Sequence, residues 1–252
     1  MSLEGVAVAR GPLARLDPRA KVVAVAAFSL VTALAPHPLG PALGVGLGLC
    51  LAAAARLSPG LILRRAVAVN VFVAFLWIFL PWQLTWTGGG FSLLPNPQGL
   101  PLAGLITLKA NAIFLVLLTL LSTTPAPEIF HALAHLKVPA KLVSLFLMFH
   151  RYLFVMHGEY TRLRQAMKVR CFAPGTNLHT YRTYAMLVGM LLVRSLERAE
   201  RVYQAMLCRG FQGTFWLLDH FHWRRSDTLF SWSWAAIVAV LIVVQWGGVW
   251  WS

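Results

Sequence analysis

Two arginines, Arg170 and Arg209, stand in a repeated frame. Gln165-Ala166-Met167-Lys168-Val169-Arg170-Cys171-Phe172 returns 39 residues later as Gln204-Ala205-Met206-Leu207-Cys208-Arg209-Gly210-Phe211. A guanidinium is a planar, permanently charged fork that pairs with carboxylates. Ala166 and Ala205 leave room for a partner backbone, and Met167, Met206, Phe172 and Phe211 offer apolar contact. A single basic helix end reads as a solvated face or a lipid-headgroup anchor. Two copies with the same neighbours suit a partner with two like grooves, such as a protein dimer. The chemistry on offer is recognition of acidic groups rather than bond making.

The other candidates are weaker. Lys109 lies inside an apolar run, where a cation costs roughly 2.5–3.5 kcal/mol on insertion scales. It either faces a polar pathway, as an intramembrane functional residue, or snorkels from a tilted helix. Asn70 and Asn111 are read as hydrogen-bonding between helices. His131 and His135 have two-ligand helix spacing, and His220 and His222 form a second pair. No cysteine or carboxylate completes either set, so both are read as surface histidines and no metal site is assigned. Cys171 and Cys208, beside the repeated arginines, are read as small residues for close packing. With Cys50 they show no C-x-x-C spacing. There is no G-x-x-x-x-G-K-[ST], H-E-x-x-H or G-x-S-x-G. The Gly88-Gly89-Gly90 run lacks a basic anchor, and the eight carboxylates form no close intramembrane pair. No catalytic residue is assigned, and the chain reads as non-catalytic.

The elements that must carry these residues are membrane helices. Of the 252 residues, 58% are hydrophobic and 12% charged, well below the share of about 25% in soluble domains. The net charge of +14 would suit nucleic acid, but cytoplasmic loops of membrane proteins collect the same excess. The first 21 residues are polar and basic; the apolar run after them is read as a retained first span rather than a signal peptide. Asp17 before Pro18 predicts a helix N-cap. Spans are expected over 22–35, 39–55, 66–86 (interrupted by Pro81), 102–121 and 229–251, the first two as a hairpin near the short limit. A basic loop is expected over 56–65 and an uncharged loop over 87–101. Tryptophans 77, 82, 86, 232, 234, 246, 250 and 251 are read as boundary residues.

A short amphipathic helix is expected over 128–137, then two long ones over 140–172 and 181–211, each apolar first and basic last. Their apolar halves are too short to span and suit a position under or partly in a bilayer. The fold class is thus an all-α polytopic membrane protein. It comprises a four-span membrane domain (1–122), a coupling-helix region (123–228) and a C-terminal transmembrane helix (229–252). All Lys and Arg but Lys109, 21 of 22, fall in segments on one side of this arrangement. The charge rule makes that side cytoplasmic, with the N-terminus inside and the C-terminus outside.

Several stretches resemble a known family: Leu16-Asp17-Pro18-Arg19-Ala20-Lys21, Thr124-Pro125 with Pro127-Glu128, Val138-Pro139, Arg151-Tyr152 to Glu159, and the two arginine frames. They look like the transmembrane coupling (T) component of energy-coupling factor (ECF) ABC transporters. The stretch Tyr181 to Leu191 is similar to the CbiQ family of cobalt and nickel importers. The resemblance covers nearly the whole chain, most specifically 124–211. It implies a subunit without catalysis that transmits ATP-driven movement of a cytoplasmic pair of CbiO-like ABC ATPase subunits. The movement reaches a separate CbiM-like substrate-binding membrane subunit, with a small CbiN-like accessory subunit as a further partner. ATP and Mg would lie on the ATPase, and Co²⁺ or Ni²⁺ on the substrate-binding subunit. Arg170 and Arg209 would be the docking arginines. Cys208-Arg209-Gly210 matches the family's Ala-Arg-Gly pattern except at Cys208, whereas Val169-Arg170-Cys171 departs at both flanks. The expected place is the inner membrane of a bacterial cell. Two alternatives stand beside it: the same coupling role for a vitamin, and a self-contained channel or carrier with Lys109 and Asn111 in its path.

Overall fold

The computed structural model describes residues 12–87, 90–96, 99–136, 138–213 and 224–247. Lys137, Gly88, Gly89, His220, His222, Trp250 and Trp251 lie outside the described residues. The described chain is helical apart from one hairpin. Its helices are α1 (Pro18–Ala33), α2 (Leu39–Ala54), α3 (Pro59–Phe79), α4 (Gly99–Leu121), α5 (Ala126–His135), α6 (Ala140–Val169), α7 (Leu178–Cys208) and α8 (Arg225–Gly247), with a short 3₁₀ turn over Pro12–Arg15. Strands β1 (Trp82–Thr87) and β2 (Gly90–Pro95) pair antiparallel between α3 and α4.

Several boundaries depart from the sequence reading. The expected basic loop is partly helical: α3 starts at Pro59, so Arg64 and Arg65 sit in its first two turns. α3 ends at Phe79, before Pro81, which cannot donate to the helical ladder. The end of the expected third span and the first part of the uncharged Gly/Pro-rich stretch form a β-hairpin, and α4 already starts at Gly99. Alternating Trp, Leu and Thr in 82–87 suit a pleated strand, and charge was a poor guide there. α3, α4 and α8 are long and apolar enough to cross a membrane. α1 and α2 have 16 residues each, about 24 Å at 1.5 Å per residue, against a hydrocarbon core of about 30 Å.

The chain divides into two compact units. One comprises 133–220; the other holds 2–132 and 221–252. In the second unit α4 is central, packed on α1, α2 and α3, while α8 lies against α1 and α2. The closest approach follows a four-residue stripe on α2: Gly40, Gly44, Gly48 and Ala52, all buried. A Cβ on Gly48 would stand 2.6 Å from the Leu115 Cβ, and one on Gly44 would stand 2.9 Å from the Phe28 ring. A Cβ on Gly40 would strike the Gln245 amide. Small residues at this spacing let membrane helices pack backbone to backbone, where dispersion rather than water drives association. Phe28, Ala112, Val116, Leu120, Trp234 and Leu241 fill the core. Trp234 is therefore no boundary residue: its indole is buried, stacks on Phe230 and donates to the Ala24 carbonyl at 2.9 Å.

Three buried charges of this unit, Asp17, Lys21 and Asp227, are held by hydrogen bonds. Asp17 caps α1, accepting from the Arg19 N–H at 2.9 Å, as its place before Pro18 predicts. Asp227 is 1% exposed; its carboxylate accepts from the Arg224 N–H at the head of α8 and from the Asp17 N–H, joining the heads of α8 and α1. Lys21, in the first turn of α1 ahead of the apolar run, donates to the hydroxyls of Thr123 (3.2 Å) and Thr124 (2.9 Å). Burial pushes its pKa down from 10.5 to about 8, opposed by the charges of Glu128, Asp17 and Asp227. Asn70 and Asn111 exchange two hydrogen bonds of 3.0 Å between α3 and α4, the interhelical pairing their sequence positions suggest.

Candidate functional site

The repeated frame turns out to be a repeated helix stop. In α6 the Phe172 N–H donates to the Met167 carbonyl at 3.1 Å and the Cys171 N–H to the Lys168 carbonyl at 3.0 Å. In α7 the Phe211 N–H donates to the Met206 carbonyl at 3.1 Å and the Gly210 N–H to the Leu207 carbonyl at 3.0 Å. Both are Schellman motifs with an arginine at the cap position. Cys171 and Gly210 take the left-handed conformation, with φ of 57° and 76°. This accounts for three frame positions. The small residue turns the chain, while Met and Phe occupy the two ends of the six-residue closure, a pair that often packs together in this motif. The Ala and Arg positions have no such local reason.

Those positions face outward. Ala166, Val169, Arg170 and Cys171 are exposed on the first stop, and Ala205, Cys208, Arg209 and Gly210 on the second. Among the described residues neither the Arg170 nor the Arg209 side chain has a hydrogen-bond or ion-pair partner. A cation near a helix C-terminus is favoured by the macrodipole, by about 0.3–1 kcal/mol. Nothing in the fold otherwise consumes either charge.

A buried carboxylate that the sequence reading named only as the end of a family-like stretch fixes how α6 and α7 cross. Glu159 of α6 is 7% exposed. It accepts from Arg194 (3.1 Å) and Arg198 (2.9 Å) of α7, and from Arg162 one turn along its own helix (3.4 Å). Glu159 precedes Arg170 by 11 residues, and Arg198 precedes Arg209 by 11. The crossing is thus about 16 Å of helix from each stop. Two arms of equal length leave one ionic pin. Residues 140–213 carry eleven Lys and Arg against three Glu, and Glu159 is committed to the pin. Its companion pair, Glu197 to Arg201 at 3.8 Å, is exposed and weak.

The arms also bare apolar surface. Phe149, Met186, Val188, Leu192 and Leu196 are each more than 45% exposed. Exposed apolar side chains in this number are covered by lipid or by protein in a working molecule. His131, read as a surface histidine, is buried on α5. Among the described residues no three His, Cys, Asp or Glu side chains gather as a metal-binding group. Lys109 donates to the Ala33 carbonyl at 2.9 Å, at the end of the short helix α1. α1 stops early enough that this lysine meets a helix C-terminus, the end a cation favours.

Long apolar helices, buried charge held between them and a basic helix pair with exposed ends define a polytopic membrane protein. Comparison with known proteins gives the class its family. The family model for CbiQ, cobalt transport protein, matches residues 9–217, and the chain belongs to that family. It is 30% identical over 123 residues to the cobalt transport protein CbiQ of Rhodobacter capsulatus, covering 49% of this chain and 50% of that one. It is 32% identical over 138 residues to the cobalt transport protein CbiQ of Salmonella typhimurium, covering 51% and 59% respectively. A putative fused cobalt transport protein CbiMQ of Methanocorpusculum labreanum is 29% identical over 125 residues, 50% of this chain and 21% of that one. The matched segments span about half the length of these CbiQ relatives.

Proposed function

We propose that the chain is the membrane coupling subunit of an ATP-driven importer of Co²⁺ or Ni²⁺. α6 and α7 take hold of a pair of cytoplasmic ABC ATPase subunits through Arg170 and Arg209 and pass their movement to a substrate-binding membrane subunit. Hydrolysis belongs to the ATPase and the metal to the substrate-binding subunit. The N-terminus is cytoplasmic and the C-terminus lies outside. The observation that carries this is the pair of identical helix stops, each presenting an exposed arginine with no partner in the fold. The family supplies the cobalt, and the fused CbiMQ relative supports a CbiM-like neighbour.

Two like arms pinned at one crossing suit a two-fold partner whose subunits move relative to one another. The pin keeps the arms from sliding while their ends are displaced. Lys109 and Asn111 do not favour a self-contained channel, because the first is engaged by Ala33 and the second by Asn70.

The test is co-purification with a CbiO-type ATPase of the wild type and of Arg170→Glu plus Arg209→Glu. The wild type is expected to retain the ATPase, and the double variant to lose it while staying monodisperse. Equal retention by both would reduce the arginines to ordinary surface charge. Metal flux through the purified chain alone in liposomes would replace coupling by a carrier mechanism.

A further inference from the structure

The two arginine stops are alike in backbone and unlike in surroundings. Arg209 opens onto a cleft of about 570 Å³ between the end of α7 and the first half of α6. Its walls include Arg151 and Tyr152 of α6, and Met148 with Met206 adds apolar surface. Arg151 is exposed and, like Arg209, has no hydrogen-bond or ion-pair partner among the described residues. Among the described residues no carboxylate lines the cleft. Two unpaired guanidiniums thus face one open space beside an aromatic ring and two flexible thioethers.

We propose that this cleft seats a carboxylate-bearing protein segment of the ATPase partner, gripped by Arg151 as well as Arg209. The proposal rests on the docking role given to Arg209 above. Charge complementarity calls for an anion. The Met148 and Met206 walls call for apolar side chains next to that anion, which a protein segment supplies and a free ion does not. Arg151 is then a docking residue that no copy of the repeated frame contains, and the α7 end is the principal anchor of the two.

The test holds Arg170 and Arg209 wild type. The full chain carrying Arg151→Glu or Arg151→Ala is reconstituted in nanodiscs, once in zwitterionic lipid and once with one-third anionic lipid. Affinity for a CbiO-type ATPase dimer is then measured, with Arg209→Glu as reference. Arg151→Glu is expected to weaken binding by at least about tenfold in both lipids, with Arg151→Ala weaker in the same direction. A loss confined to anionic discs assigns the cleft to a lipid headgroup and overturns the proposal. Wild-type affinity in both Arg151 variants, with Arg209→Glu still defective, overturns the cleft and leaves the coupling role standing. Wild-type affinity in all three overturns both. If Arg151→Glu aggregates, Arg151→Ala decides by the same outcomes.

Discussion

The two compact units hold their buried charges by different means. In the membrane unit Lys21 is buried between two threonines, and Lys109 rests on a helix carbonyl. The carboxylate of Asp227 serves two backbone donors. In the α6–α7 unit Glu159 takes up three arginines, while Arg151, Arg170 and Arg209 stay exposed and unpaired. A buried unpaired charge costs several kcal/mol, so a membrane unit must settle its charges internally. An exposed arginine carries no such penalty and stays available to a partner. Paired charge here marks what holds the fold, and exposed charge, which the membrane unit also carries at Arg56 and Arg64, is left to solvent, lipid or a partner.

The largest effect that could break this comparison is on association. Arg209→Glu should weaken ATPase binding most, since truncating one side of a buried, hydrogen-bonded charge pair costs about 2–5 kcal/mol. Arg170→Glu should cost less, because Arg170 does not line the cleft that joins Arg209 to Arg151. Each should lower the melting temperature only slightly, through the lost helix-end charge, because neither side chain is otherwise partnered in the fold. Equal losses in calorimetric or surface-binding measurements would make the ends equivalent and dissolve the asymmetry.

Next comes the stability of the membrane unit. Asp227→Ala strands the Asp17 and Arg224 N–H groups, and a buried unsatisfied donor costs about 1–3 kcal/mol. A drop in detergent melting temperature is expected, with any ATPase affinity of the surviving folded protein unchanged. Lys21 gives the pH signature. Its pKa of about 8 lies below the ordinary 10.5, so between those values the unfolded chain holds more protons. Stability should therefore rise as pH climbs from about 8 towards 10.5. Lys21→Met should remove that rise, and a slope unchanged by the substitution would assign it to another group.

The pin between the arms is intermediate. Glu159→Gln leaves Arg194 and Arg198 without a counter-charge, but both are partly solvated, so the cost is about 1–2 kcal/mol rather than that of a buried pair. The native cysteines at the two stops, Cys171 and Cys208, are exposed and can carry spin labels after Cys50→Ser. A broadened Cys171–Cys208 distance distribution in Glu159→Gln is the expected result. An unchanged distribution would move the constraint to the apolar contacts.

Helix order and the charge pattern were legible because long apolar runs and the Asp17-Pro18 cap are local signals. The Asn70–Asn111 pair was legible because polar amides inside apolar runs have few other outlets. The Gly40-Gly44-Gly48-Ala52 stripe was also in plain view at four-residue spacing inside the expected second span, where the reading weighed only its apolar length. The Glu159 pin could not be read off, because its partners lie 35 and 39 residues away and helix phase alone does not say which α7 arginines face α6. Arg151 was hidden for the same reason. Trp234 was misplaced because a tryptophan near a helix end suits the bilayer boundary equally well. The repeated frame was found, but its meaning was mixed: Met, Phe and the small residue belong to a helix stop, and only Ala and Arg are left for a partner.

The smallest effect separates those two meanings. Gly210 has φ of 76° with open space around the position a Cβ would take, so Gly210→Ala meets strain but no clash. About 1 kcal/mol of local stability should be lost at the end of α7. Cys171 has φ of 57° and already carries that strain, so Cys171→Gly should recover at most about 1 kcal/mol at the end of α6. Hydrogen exchange at the closing amides reads both: Phe211 should exchange faster in the first variant and Phe172 more slowly in the second. Because neither substitution touches a guanidinium, ATPase affinity should follow only the small change in how often the stop is formed. If Gly210→Ala instead weakens binding as much as Arg209→Glu, glycine is a contact and not merely a turn. The partner would then read the backbone of the stop as well as its charge.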